Sequence, residues 1–324
     1  MIINNNVKIK NITINRATDV FKKQFIATQK EIATTLQQDS NADWIVGNLP
    51  KTWLERIPAK AENEKEETAK KIFQAFRAAI KYLRPYNAPI KSKQYNKNKA
   101  DAENRRIKEA SNYLTKALRH FGIISESTCV NLKRRKVYGE YINRGYVLSE
   151  KGQNPTLEKL FIKTFKKLNP ELLDANYNGI YAEAAHGLNL NELGCKHLSK
   201  LYWGDIKGSY MTTEYETPPK HCSPIIKFKK SYDTIYDFAK DFYKQTGIEL
   251  SEMFERGITI GKTNKYGKFE PKDKEYLLIG YLQSVLEKAG LYHGDLHKNN
   301  AIIGTDSFGK PILKIIDFGG IMKK

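Results

Sequence analysis

Apolar positions along the chain recur at two periods, and the change of period divides it. From Thr18 to Gln38, Val20, Phe21, Phe25, Ile32 and Leu36 keep helical spacing. Glu66 to Leu83 repeats the pattern with Ile72, Phe73, Phe76, Ile80 and Leu83, and Pro85 stops it. Ala102 to Phe121 repeats it again through Ile107, Ala110, Leu114 and Leu118, with Gly122 as the stop. Trp44 and Trp53 stand among Gly47, Pro50 and Pro58 and are read as packing aromatics. Residues 85–100 read as a polar, basic linker, with Tyr86 and Tyr95 in a solvated loop. Residues 1–15 are either flexible or one isolated strand. The expectation for residues 1–128 is an all-helical accessory region.

The period then shortens. After the basic run Leu132-Lys133-Arg134-Arg135-Lys136, Val137 to Leu148 is rich in Tyr, Val and Ile and reads as strand. Leu160 to Phe165 is a strand with one lysine, Lys163, in an apolar run. Leu172 to Leu188 reads as a helix with Glu183 near its end, and Leu198–Trp203 and Ser209–Tyr215 as two further strands. Past the Pro-containing linker Thr217–Pro224, helices are expected at Ser231–Gln245 with Ser231 as N-cap, at Glu249–Arg256 and at Asp273–Ala289. Residues 257–272 read as a basic loop or small hairpin. Finally Ala301–Ile303 and Ile312–Ile316 form a hairpin across the turn Asp306–Pro311.

Composition narrows the classes. The 324 residues are 40% hydrophobic, enough for one large domain or two medium ones with a real core. Lys and Arg number 55 against 36 Asp and Glu, a net charge of +19. More than half of that excess lies in residues 1–128. Such charge suits an acidic partner. An acidic protein is the expected one, and nucleic acid is not. Cys129, Cys195 and Cys222 form no CxxC pair, which argues against a disulfide framework and suits a reducing compartment. Cys195-x-His197 and His221-Cys222 lack zinc-module spacing. No stretch approaches 18 consecutive apolar residues, so no membrane span is expected, and the N-terminus has no apolar core of a signal peptide.

The candidate chemistry lies at one end of the C-terminal hairpin. Asp295 and Asn300 precede its first strand and Asp317 follows its second. One carboxylate can orient a hydroxyl nucleophile, and the amide with the second carboxylate can hold Mg²⁺ against a polyphosphate.

At these residues the chain resembles the protein-kinase superfamily. His293-Gly294-Asp295-Leu296-His297-Lys298-Asn299-Asn300 fits the catalytic loop H-x-D-L-x-x-x-N, and Asp317-Phe318-Gly319 fits D-F-G. The order β-β-β-α-β-β before them is that of the family's small lobe. Gly145-x-Val147 fits the end of the glycine-rich loop, with Gly139 near its first glycine and the middle glycine absent. Lys163 falls at the phosphate-contacting lysine and Glu183 at its helix partner. Thr213 falls at the gatekeeper, and Glu214-Tyr215-Glu216 at the hinge that would bond adenine.

The resemblance covers about residues 137–320. It implies an α+β, two-lobed fold: a five-stranded antiparallel small-lobe sheet (137–216) and a reduced helical large lobe (217–324), together a domain over 129–324 behind the helical residues 1–128. It implies ATP and Mg²⁺ as cofactors. Asp295 and Lys163 become the catalytic residues, Asn300 and Asp317 the metal ligands, and Gly145, Val147, Glu183, Glu214 and Tyr215 part of the nucleotide site. The expected activity is that of an atypical serine/threonine protein kinase. The alternatives are an aminoglycoside-type small-molecule kinase and a pseudokinase-like binding module.

The chain departs from the family in two linked ways. The sequence given ends five residues after Asp317-Phe318-Gly319 with no A-P-E motif, and Gly294 replaces the arginine that receives an activation-loop phosphate. Both fit the truncated kinase effectors of bacteria, so the expected place of action is either the cytoplasm or a host cell. A fold this short needs something to bury Ile302, Ile303, Leu313, Ile315 and Leu286. The inserted helix 231–245 is expected to do so, with the N-terminal helices contributing.

Overall fold

The structure, a computed structural model, describes residues 45–58, 61–83, 93–135, 142–152, 155–165, 191, 195–205, 208–219, 226–306, 308–318 and 321–323. The helix expected over Thr18–Gln38, the helix over Leu172–Leu188, Trp44, Gly139, Glu183, Cys222 and Gly319 lie outside them. The described chain is mixed α and β. In order it runs β1 (Ile45–Gly47), α1 (Lys51–Leu54), α2 (Glu62–Leu83), α3 (Lys93–His120), β2 (Cys129–Arg135), β3 (Ile142–Lys151), β4 (Leu160–Phe165), β5 (Leu201–Asp205) and β6 (Tyr210–Glu214). There follow α4 (Ile235–Thr246), α5 (Leu250–Glu255), β7 (Gly261–Thr263), β8 (Phe269–Pro271), α6 (Lys274–Lys288), β9 (Leu291–His293), β10 (Ala301–Thr305), β11 (Pro311–Ile315) and β12 (Ile321–Lys323).

The main sheet has six antiparallel strands in the order β1-β5-β6-β4-β3-β2. Strands β3 to β6 fall where strands were expected, β2 precedes the expected start of the sheet, and β1 comes from the region expected to be all-helical. β1 pairs Gly47 with Trp203 on β5. Gly47 has φ +105°, and a Cβ there would lie 2.2 Å from the Tyr202 carbonyl oxygen, so only glycine lets this edge close. The sheet also starts before residue 137. The basic run Leu132–Arg135 belongs to β2, because Leu132 and Val130 turn inward while the charged residues remain outside.

Each face of the sheet has its own cover. On β4, Leu160 and Ile162 face one way, with Tyr146 and Leu148 of β3, Tyr210 of β6 and Trp203 of β5. Helices α2 and α3 pack on that face through Ile72, Phe73, Phe76, Ala110, Leu114 and Leu118. The helical region and the sheet thus share one core. Trp53 is fully buried there, its ring 6.0 Å from Phe76, which agrees with a packing role. Arg77 of α2 ties the same contact to Asp205, fully buried, at 2.8 Å. Helix α3 begins at Lys93, so the polar stretch expected to be linker is helical from there on. Its Lys, Gln, Asn and Ala residues can extend a helix that the apolar stripe downstream has already nucleated.

The second core holds Phe165, Leu201 and Met211 from the sheet together with α4, α6 and the hairpin β10–β11. Phe238 and Phe242 of α4, Leu277, Leu282 and Leu286 of α6, and Ile303, Leu313 and Ile315 of the hairpin are all in it. The inserted helix therefore does cover the hairpin's underside, as expected, and Ile303, Leu313, Ile315 and Leu286 are buried, while Ile302, which alternation turns to the other face of β10, is only half-buried. Helices α2 and α3 sit in the other core and do not contribute. Helix α4 starts one turn later than expected. Its N-cap is Thr234, in a capping box with Asp237, and not Ser231. Tyr232 is held extended by two backbone bonds to Phe269, which keeps Ser231 out of the helix.

Candidate functional site

β9 ends in His293, and the loop 294–300 leads into β10. β11 ends at Ile315, and Asp317 follows. The β10–β11 register, Ala301 opposite Ile315, brings the two loop ends side by side. Ile316 N–H donates to the Asn300 carbonyl at 2.9 Å, closing that end. β12 returns to pair with β9, Ile321 opposite His293, so the segment carrying Asp317 is held on both sides. Phe318, fully buried in the lower core, anchors it from below.

His293 is 3% exposed and pins the loop. Its Nδ1 accepts from Asp295 N–H at 3.2 Å, so the proton lies on Nε2, which donates to the Asp317 carbonyl at 3.1 Å. Burial pushes its pKa below the usual 6.5, against the pull of Asp317 and Asp295. A neutral, single-tautomer imidazole thus sets the spacing of the two acidic residues. Asn300, 7% exposed, donates its Nδ2 to the Asp295 carbonyl at 2.8 Å, which leaves Oδ1 as an acceptor. The Asp295 side chain is 79% exposed and free to meet an incoming group, with His297 Nε2 3.9 Å from its Oδ2.

The sheet contributes the other wall. On β4 the period of two that sends Ile162 toward α2 and α3 sends Lys163 to the opposite face. Lys163 Nζ lies 3.5 Å from Asp317 Oδ2, with side-chain exposures of 8% and 31%. This ion pair joins the hairpin to the sheet. Gly145 stands directly across from Lys163 on β3, and Val147 across from Phe161, so both expected loop residues border the lysine.

The hinge residues lie at the end of β6. Glu214 N–H donates to the Lys200 carbonyl at 2.7 Å and Tyr215 N–H to the Lys159 carbonyl at 3.1 Å. Arg135 donates to the Tyr215 hydroxyl at 3.1 Å and lies over its ring. What the sequence reading missed is Lys314. Its Nζ sits 2.8 Å from Glu216 Oε1 and 3.5 Å from Glu214 Oε2, which binds the hinge to β11. Burial and the neighbouring Glu214 push the Glu216 carboxyl up, and Lys314 pulls it back. The signal was available: Lys314 is a lone lysine in an apolar strand, the same pattern that singled out Lys163.

Among the described residues no three His, Cys, Asp or Glu side chains group as a metal site, Cys195 and His197 included. Asn300 Oδ1 and Asp317 offer one amide and one carboxylate oxygen. That set fits Mg²⁺, which is commonly held by one or two protein oxygens, with phosphate and water completing its shell. No helix among the described residues is long and apolar enough to cross a membrane.

No protein-family model matches the chain, and no curated protein is significantly similar to it.

Proposed function

We propose that the chain is an ATP- and Mg²⁺-dependent phosphotransferase, an atypical serine/threonine protein kinase with a small lobe around the six-stranded sheet and a reduced large lobe from Thr217 onward. The observation that carries this reading is the convergence of Lys163, Asp295, Asn300 and Asp317, drawn from a sheet and a hairpin far apart in sequence, with Lys163 and Asp317 3.5 Å apart. A buried lysine beside a carboxylate is a costly arrangement for a fold alone. It suits a polyphosphate, which supplies the negative charge that the lysine and a cation would share.

In this reading Lys163 binds the α- and β-phosphates. Asp295, at its exposed carboxylate, accepts the proton of the acceptor hydroxyl. Asn300 and Asp317 would hold Mg²⁺, which when bound neutralises charge developing on the transferred group. His293 keeps Asp295 and Asp317 in register, and adenine would lie along the hinge 214–216, where the Glu214 and Tyr215 N–H groups are already bonded to Lys200 and Lys159. Rate enhancement comes from positioning and charge neutralisation, with no covalent intermediate.

The test is incubation of the full chain with radiolabelled ATP and Mg²⁺, read for autophosphorylation and for transfer to generic proteins and to aminoglycosides, beside calorimetric ATP binding. Autophosphorylation or protein transfer that disappears in Asp295→Asn supports a protein kinase. Transfer to aminoglycoside alone replaces it with the small-molecule reading. ATP binding without transfer makes the chain a binding module, and absence of ATP binding overturns all three.

A further inference from the structure

One cavity, of about 510 Å³, takes no part in this site. It lies between the start of α4, the end of α5 and the hairpin β7–β8, lined among others by Ile235, Phe254, Ile258, Ile260, Lys262 and Thr263. Its apolar wall is open to solvent: Phe254 is 56% exposed, Ile235 36%, and the adjoining Tyr236 82%. Large apolar side chains in such a cluster point to a ligand surface.

The backbone beside the cavity points the same way. The Ile260 carbonyl accepts from Lys272 N–H at 2.7 Å, and Asn264 N–H donates to the Lys268 carbonyl at 2.8 Å. Bonding alternates along an antiparallel ladder, so Lys262 faces β8 like Ile260 and Asn264, while Thr259, Gly261 and Thr263 turn their N–H and C=O groups outward. The far edge of β8 is closed, since Tyr232 exchanges two bonds with Phe269, at 2.8 and 2.9 Å. Among the described residues β7 thus keeps a free edge running along an apolar cavity. That combination is what strand addition requires: main-chain bonds for affinity and a pocket for a side chain.

Charge selects the occupant. Residues 261–272 carry Lys262, Lys265, Lys268 and Lys272 against Glu270. Glu270 accepts from Asn264 at 2.9 Å, and Asp233 is paired with Lys268 at 3.2 Å. Two acidic residues adjoin the wall: the exposed Glu255 beside Phe254, and Asp237 beside Tyr236, which is taken up by the capping box with Thr234.

We propose that β7 and this cavity dock an extended, acidic segment of a partner protein, which adds as a strand to β7 and seats one apolar side chain against Ile235, Phe254 and Ile258. Docking does not rest on the phosphotransfer reading. Where both hold, it favours a protein acceptor over a small molecule.

The test uses the full chain and fluorescein-labelled peptides of about ten residues, long enough to span the edge. One alternates valine and leucine with aspartate and glutamate. A second replaces the acids by lysine, and a third carries N-methyl groups on alternate backbone nitrogens. Fluorescence anisotropy is expected to show binding of the acidic peptide, with both twins weaker by about tenfold or more. Phe254→Ser and Lys262→Glu, both at exposed positions, each weaken it by a similar factor with unchanged melting temperature, while Asp317→Ala leaves it unchanged. Absence of binding by the acidic peptide, equal binding by either twin, or binding indifferent to Phe254→Ser overturns the proposal. Photo-crosslinking from Phe254→p-benzoyl-Phe separates the occupants. Transfer to the acidic peptide supports docking, and a link to the chain's own residues or to a second copy overturns it.

Discussion

Replacing Lys314 by methionine tests how the hinge is held. The Lys314 ammonium is shared by Glu216 at 2.8 Å and Glu214 at 3.5 Å, with side-chain exposures of 10% for the lysine and 3% for Glu216. The hinge is seated closely on the hairpin: a Cβ at Gly304 would lie 2.3 Å from Glu216 Oε2, and Thr305 Oγ1 donates to the Thr217 carbonyl at 2.5 Å. Methionine keeps the volume and removes the charge, leaving a buried carboxylate beside a second one. Losing one partner of a buried pair costs about 3–5 kcal/mol, which corresponds to a fall in melting temperature on the order of 10 °C. The loss has a pH signature. Glu216 is already pushed above 4.5, first by burial and then by Glu214, and without Lys314 it rises further. A carboxyl with a raised folded pKa contributes stability that is present below its unfolded pKa and is lost as pH rises through the folded one. The variant is therefore weakest at about pH 8, and its deficit shrinks toward about pH 5 as Glu216 takes up a proton. Urea unfolding followed by circular dichroism at both pH values measures this. Lys314→Met combined with Glu216→Gln recovers most of the loss at the higher pH, because no buried charge is left alone. A deficit under about 1 kcal/mol, or one of equal size at both pH values, refutes the reasoning.

Three further outcomes follow from the site. Asp317→Ala lowers Mg·ATP turnover by about 10² to 10⁴ with little change in melting temperature, and a variant retaining more than about half the wild-type rate removes Asp317 from metal binding. Lys163→Met weakens ADP binding more than adenosine binding in calorimetry, whereas equal losses make Lys163 a structural residue. His197 and His293 both have pKa values lowered from 6.5, chiefly by burial, so each contributes stability that is present above the unfolded pKa and lost as pH falls. The wild-type melting temperature is expected to drop below about pH 6.5, and His197→Gln, whose amide N–H keeps a donor for the Leu313 carbonyl, flattens that limb; an unchanged limb assigns it to other groups.

Much of the local architecture could be read from the chain itself. The stripes of α2, α6 and the downstream part of α3 and the alternation of β4, β10 and β11 are carried by residues a few positions apart, so periodicity reports them directly. The hairpin that sets Asp295 and Asn300 beside Asp317 was legible for the same reason: a short turn between two apolar runs fixes the pairing. Elements that depend on distant partners were not legible. β1 exists because Gly47 can approach the Tyr202 carbonyl. β5 begins at Leu201 and not Leu198, because Leu198 bridges to Ile315 and the backbone of 197–199 is bonded to β11. Thr234 caps α4 because Tyr232 is held by Phe269. The meeting of Lys163 with Asp317, and of Lys314 with Glu214 and Glu216, joins residues about a hundred positions or more apart. Each lysine announces itself in sequence only as a charge that must find a partner, and the partner is chosen when the two cores close around the sheet.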